Sequence, residues 1–186
     1  MAPVKRPASY ADVQALPEHL VGELIEGELI ASPRPASLHS FAASGLGQLL
    51  APFSKTGGRG GGPGGWWIVD EPELHFGANV LVPDLAGWQT ARMPEYPDAP
   101  FFTLAPDWLC EVASPSTARL DRMRKLPLYA REGVSHAWII DPALRTLEVL
   151  RRHEAHWIIV ATHADDARVR AEPFAAVELD LGALWP

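Results

Sequence analysis

One cysteine, Cys110, is all the chain carries, so no intrachain disulfide can brace it and no zinc ribbon can begin there. That residue reads as a small buried hydrophobe. Long apolar runs are also missing: each is broken by a charge, Gly or Pro well before the roughly 20 residues that a membrane-spanning helix needs. The opening MAPVKRPASYADVQALPEHL has no apolar core and no small-residue cleavage site, so no secretory leader is expected and a cytoplasmic location, with no membrane partner, is the default. A basic excess is absent too. Sixteen Lys and Arg stand against 23 Asp and Glu, a net charge of -7, which argues against coating nucleic acid through bulk charge. A nuclease remains compatible with that balance, because a carboxylate metal cluster is itself acidic and DNA need touch only one local basic face. What is present is an ordinary globular composition, 47% hydrophobic and 21% charged, with 186 residues expected to form a single domain over 1–186.

Along the chain, GELIEGELIAS (22–32) reads as a hairpin around Glu26-Gly27, or as a helix end turning into a strand. In SLHSFAASGLGQLLAPF (37–53), Leu38, Phe41, Ala42, Leu46, Leu49 and Leu50 recur at helical spacing, with Ser37 as the expected N-cap. GGRGGGPGG (57–65) is no P-loop, because no Gly-Lys-Ser/Thr follows and the next segment reads as a strand where a phosphate-facing helix is required. It reads as a flexible connector. Strands are expected at 66–76, 80–88 and 107–113, then a helix over 116–133 that Pro127 kinks or splits and Gly133 stops. Four further runs, HAWIIDP, TLEVLRR, HWIIVAT and AAVELDLGALW, read as strands. The expectation is an α/β (α+β) chain with a mixed central sheet flanked by helices.

Alternation in PDWLCEVASPST places Leu109, Glu111 and Ala113 on one face and Trp108, Cys110 and Val112 on the other. Glu111 is therefore a carboxylate on an otherwise apolar strand, where burial is costly without a partner or a metal. Asp84, straight after Pro83 in VPDLAGW, raises the same problem. Two carboxylates at neighbouring strand ends with an ammonium nearby form a hard oxygen site suited to Mg²⁺ or Mn²⁺, able to activate water against a phosphodiester. Lys125 is the candidate ammonium, four residues after Asp121 on the following helix and on a face shared with Arg122 and Tyr129. Taken singly, each residue has a plainer reading: Asp84 as a turn carboxylate, Glu111 as half of an ion pair, Lys125 as a solvated helix lysine, His39 as a packed histidine.

VPD at 82–84, EVASPST at 111–117, Asp121, Lys125 and Tyr129 at four-residue intervals, and GVSHAWIIDP at 133–142 together resemble the Uma-type restriction endonuclease family (domain of unknown function 820) of the PD-(D/E)XK nuclease superfamily. ELIEGELIASPRP with His39 is similar to that family's N-terminal signature, so the resemblance spans most of 20–150. It implies a restriction-endonuclease-like fold with Asp84 and Glu111 as metal ligands. The superfamily's usual lysine lies two residues past the glutamate, where this chain has Ala113. The resemblance therefore nominates Lys125, moved to the next helix, with the small Ala113 leaving room for its ammonium. Glu28 and His39 are further nominees, with Glu23 competing for the role of Glu28.

These readings lead to a Mg²⁺-dependent endonuclease acting on double-stranded DNA, with Mn²⁺ as a substitute and a two-fold homodimer suited to a duplex. Arg119, Arg122 and Arg124 are expected to meet the DNA backbone; a solvated face with local salt bridges is the plainer reading. Trp66, Trp67, Trp88, Trp108, Trp138 and Trp157 sit in strand-like runs and read as core or interface residues rather than base-stacking platforms. The alternative from another class is a non-catalytic DNA-binding or assembly module on the same fold.

Overall fold

The computed structural model describes residues 6–186. A short helix α1 (Tyr10–Gln14) leads into a hairpin of β1 (Leu20–Ile25) and β2 (Glu28–Pro33). Glu26 and Gly27 hold φ of 54° and 81°, the pair of positive angles that a two-residue type I′ turn requires. Helix α2 (Ser37–Leu50) then buries Ala42, Leu46 and Leu50, one turn apart on a single face. Its N-cap is Ala36 rather than Ser37, without a side-chain cap, and Leu38 and Phe41 stay exposed.

The glycine stretch is folded back on itself rather than being an open connector. It makes a 3-10 turn over Gly57–Gly60 and hydrogen bonds from Gly62 to Gly57 and from Gly64 to Pro52. A Cβ at Gly57 or Gly62 would run into the backbone carbonyls of Ala51 and Pro52, so close chain approach accounts for these glycines.

The two runs expected as single strands, 66–76 and 80–88, change sheet midway. The first divides into β3 (Trp66–Asp70) and β4 (Leu74–Phe76), and the second into β5 (Asn79–Leu81) and β6 (Leu85–Gln89). Glu71, at φ 45°, turns the first; Pro83, with no N–H for a ladder, breaks the second. After β7 (Trp108–Val112) come α3 (Ala118–Leu120), a π-helical turn (Asp121–Lys125) and α4 (Leu126–Arg131), then β8 (His136–Asp141), β9 (Thr146–His153) and β10 (His156–Ala164). The last run expected as a strand yields only the two residues of β12 (Leu179–Asp180), paired with β11 (Arg168–Val169), before a 3-10 turn.

The six-stranded mixed sheet has the order β10-β9-β8-β7-β6-β3, with β7 and β8 parallel across the helical crossover; the order β2-β1-β5-β4 forms an antiparallel sheet beside it. One face of the large sheet packs Trp66, Trp108 and Trp138 around Phe174 and under α2. The other face packs Leu109, Ala137 and Ile139 against α4 and the smaller sheet. Val82, Pro83 and Asp84 form the crossing between the sheets, and that seam is where the charged side chains collect. Among the described residues no helix is long and apolar enough to cross a membrane.

Candidate active site

Strand β7 sets the site. Trp108, Cys110 and Val112 enter the core under α2, while Leu109 and Ala113 enter the second core, so Glu111 is carried to the seam at 2% exposure. Its Oε1 accepts a hydrogen bond from Tyr129 Oη at 2.8 Å and lies 3.0 Å from Lys125 Nζ. Lys125, 4% exposed, also lies 2.9 Å from Glu23 Oε1 and 3.8 Å from Asp121 Oδ1, and donates to the Val82 carbonyl at 3.1 Å.

The π turn explains how the lysine arrives. Pro127 has no N–H to offer the carbonyl four residues back and its ring crowds that turn, so the helix widens and the Leu126 amide reaches Asp121 O. The widened turn brings Asp121 and Lys125 inward together, both buried.

Asp84 is locked on the sheet crossing. Its Oδ2 accepts the Val112 amide at 2.6 Å, and its Oδ1 lies 3.1 Å from His39 Nε2 on α2. His39 Nδ1 is buried without a hydrogen-bond partner among the described residues. Glu23 Oε1 accepts the Val82 amide at 2.8 Å, tying β1 to the same crossing.

Four carboxylates, Glu23, Asp84, Glu111 and Asp121, thus surround one ammonium. Burial pushes the Glu111 carboxyl well above its ordinary range, against the pull of Lys125 and with the neighbouring carboxylates adding to the rise. Asp121 is pushed up to about 6, first by burial, with Lys125 and a Thr117 hydrogen bond opposing. Burial works against a charged Lys125, yet Glu111, Glu23, Asp121 and Asp84 outweigh it and hold the ammonium well above its ordinary range. His39 behaves alike: burial lowers it, but Asp84 and more distant carboxylates raise it overall.

The cluster lines a cleft of about 310 Å³, whose remaining lining comes mainly from the end of β2 and its linker to α2 (32–36) and the turn after β7 (114–117). The structure brings Asp84, Glu111, Lys125 and His39 to this cleft. Glu28 is not there. It starts β2 just past the hairpin turn, 65% exposed, paired with Arg124 at 2.6 Å, and Glu23 occupies the buried place. Glu23 was legible by the alternation used for Glu111, since it shares a strand face with Val21 and the buried Ile25. Two of the arginines make the local salt bridges of the plainer reading, Arg122 with Glu148 and Arg124 with Glu28 and the Ile25 carbonyl, and exposed Arg119 is off the cleft lining. Helical spacing shows which residues share a face; it cannot show which carboxylates other strands bring to that face.

A divalent metal, which the fold family implies, is tested by the donor set. Among the described residues no three His, Cys, Asp or Glu side chains converge as a metal cage. Asp84 and Glu111 nevertheless offer two hard carboxylates on one cleft. Glu111 Oε2 has no hydrogen bond among the described residues, and the site's negative charge exceeds the single ammonium. Mg²⁺ binds through one or two carboxylates and keeps several waters, so these residues fit it without a full cage.

The pattern of the family described as "Uma2: Putative restriction endonuclease" matches residues 10–182. The chain belongs to this family. A solved structure described as a "putative nuclease belonging to DUF820 from Anabaena variabilis ATCC 29413" superposes on the Uma2-family chain with a TM-score of 0.75 at 26% identity, covering 96% of this chain and 97% of that one. No curated protein matches the chain. The mixed sheet flanked by helices, expected from the resemblance, is the fold observed.

Proposed function

We propose that this Uma2-family chain hydrolyses DNA phosphodiester bonds at the cleft, as a Mg²⁺-dependent endonuclease of double-stranded DNA for which Mn²⁺ substitutes. The observation that carries the reading is the Lys125 ammonium 3.0 Å from Glu111, buried beside it, although Ala113, just past the end of β7, stands where the superfamily keeps its lysine. The nuclease description of the structural relative supports the same reading.

Asp84 and Glu111 would hold the metal, which supplies charge neutralisation and an acidified water. Lys125 acts through its charge. Held protonated by four carboxylates, it is a poor base but a good donor, orienting the attacking water and stabilising charge on the phosphate as the bond to the leaving sugar oxygen breaks. Tyr129 fixes Glu111 by its hydrogen bond, and His39 fixes Asp84.

One observation favours a second reading. Lys125 by itself neutralises part of the carboxylate charge, as a nuclease-fold DNA-binding module without activity would also require. Plasmid DNA incubated with Mg²⁺, Mn²⁺ or chelator separates the two. Nicking and linearisation that need the metal and vanish in Glu111→Ala are expected; DNA binding with no cleavage under any metal would transfer the site to the second reading.

A further inference from the structure

A phosphodiester strand entering this cleft faces an electrostatic obstacle. Five carboxylates line it, those of Glu23, Glu71, Asp84, Glu111 and Asp121, and Lys125 is committed to three of them. A metal at Asp84 and Glu111 would serve the reacting phosphate, but the neighbouring phosphates of the same strand still need cationic or donor groups, because phosphate contacts fix register and orientation on the backbone. The helix arginines do not supply them. Arg122, Arg124 and Arg131 each pair with a carboxylate, on Glu148, Glu28 and Glu26, and exposed Arg119 lies off the cleft lining.

Arg34 remains. Among the described residues it is the one arginine lining the cleft. It is exposed, has no carboxylate partner among the described residues, and makes a single long hydrogen bond, 3.3 Å from Nη2 to the Glu18 carbonyl. Pro33 and Pro35 flank it and fix φ on both sides, so the guanidinium projects from a stiff segment. The turn after β7 lines the same cleft with Ser114, Ser116 and Thr117, whose hydroxyls lie 2.9 to 3.0 Å apart about Ser114 Oγ. The Thr117 hydroxyl proton is taken by Asp121, so the neutral groups of this trio able to donate to an anion are the serine pair, Ser114 and Ser116.

We propose that Arg34 is the anchor for a backbone phosphate flanking the scissile one, with Ser114 and Ser116 of the turn after β7 supplying neutral donors in the same cleft. The inference rests on the nuclease reading and places the DNA-backbone contact on the β2–α2 linker rather than on the helix. An exposed guanidinium with no carboxylate to release is free to form the two-pronged contact that suits a phosphate.

Fluorescence anisotropy of a labelled 20-base-pair duplex and of its single strand, across a salt series with Ca²⁺ present to screen the carboxylates, tests this. Relative to the unmodified chain, Arg34→Ala is expected to weaken binding about tenfold and to reduce the dependence on log salt by about one phosphate contact. Arg34→Lys is expected to keep the salt dependence and lose part of the affinity, while Arg119→Ala leaves both unchanged. In cleavage assays Arg34→Ala raises KM and leaves kcat within about twofold, the pattern of a contact equal in ground and transition states. Binding by the unmodified chain with Arg34→Ala indistinguishable from it would overturn the proposal and leave the nuclease reading intact. Failure of the unmodified chain to bind either form of DNA would remove both.

Discussion

Strand β7 has two faces, and the molecule treats them oppositely. On one, Trp108, Cys110 and Val112 enter a core of tryptophans and Phe174. On the other, Glu111 sits between Leu109 and Ala113 at the same depth, where no apolar contact can satisfy it. The first face stabilises the fold through buried area and close packing. The second holds charges whose desolvation opposes their attraction, so its arrangement is weak evidence for stability and stronger evidence for a task. Burial alone does not separate core from site; what separates them is whether a buried group is satisfied by its neighbours or left with surplus charge.

The comparison breaks hardest at Lys125. Lys125→Met leaves Glu23, Glu111 and Asp121 without their shared cation, and a loss on the order of 3–5 kcal/mol in urea unfolding is expected together with loss of cleavage. Adding Glu23→Gln should restore part of that stability and none of the activity. A similar loss of about 3–5 kcal/mol is expected for Trp138→Ala on the opposite face, since a large side chain leaves a cavity there, but its folded fraction should still cleave. Cleavage lost by Trp138→Ala while it remained folded would show that the two faces are coupled.

Smaller effects sharpen the picture. Tyr129→Phe removes one hydrogen bond to Glu111 and should destabilise by about 1 kcal/mol, with kcat falling more than stability because Glu111 loses its orientation. Asp121 gives a pH signature. Its folded pKa of about 6 lies above the ordinary 3.8, so the folded state binds that proton more tightly than the unfolded chain does. The contribution is complete below about pH 4 and is lost as pH rises through about 6. Melting temperatures of metal-free protein across this range should show that decline, and Asp121→Asn should flatten it. The smallest effect belongs to exposed pairs: Glu28→Ala removes its ion pair with Arg124 and should change stability by less than about 1 kcal/mol and cleavage not at all.

Local pattern carried much of the fold. The periodicity of α2, the alternation of β7 and the disruption at Pro127 each depend on residues a few positions apart, so the sequence shows them directly, whereas at Glu26-Gly27 it left a hairpin and a helix end both open. Strand partners depend on contacts between distant segments, and there the reading failed. The runs expected as single strands over 66–76 and 80–88 each divide between two sheets, and which sheet a segment joins is decided by packing against distant strands.

The candidate site divides along the same line. By itself the sequence determined that Asp84 and Glu111 were carboxylates in apolar surroundings, that Lys125 shared a helix face with Asp121, and that the order of motifs matched one nuclease family. Only the tertiary structure decided that Glu23 rather than Glu28 shares the ammonium, that a π turn carries Lys125 inward, and that Arg34 lies on the cleft while Arg122 and Arg124 are paired elsewhere and Arg119 lies off it. Residue type and periodicity are properties of neighbours along the chain. A charge's partners are set by which distant strands and turns the fold brings within a few ångströms.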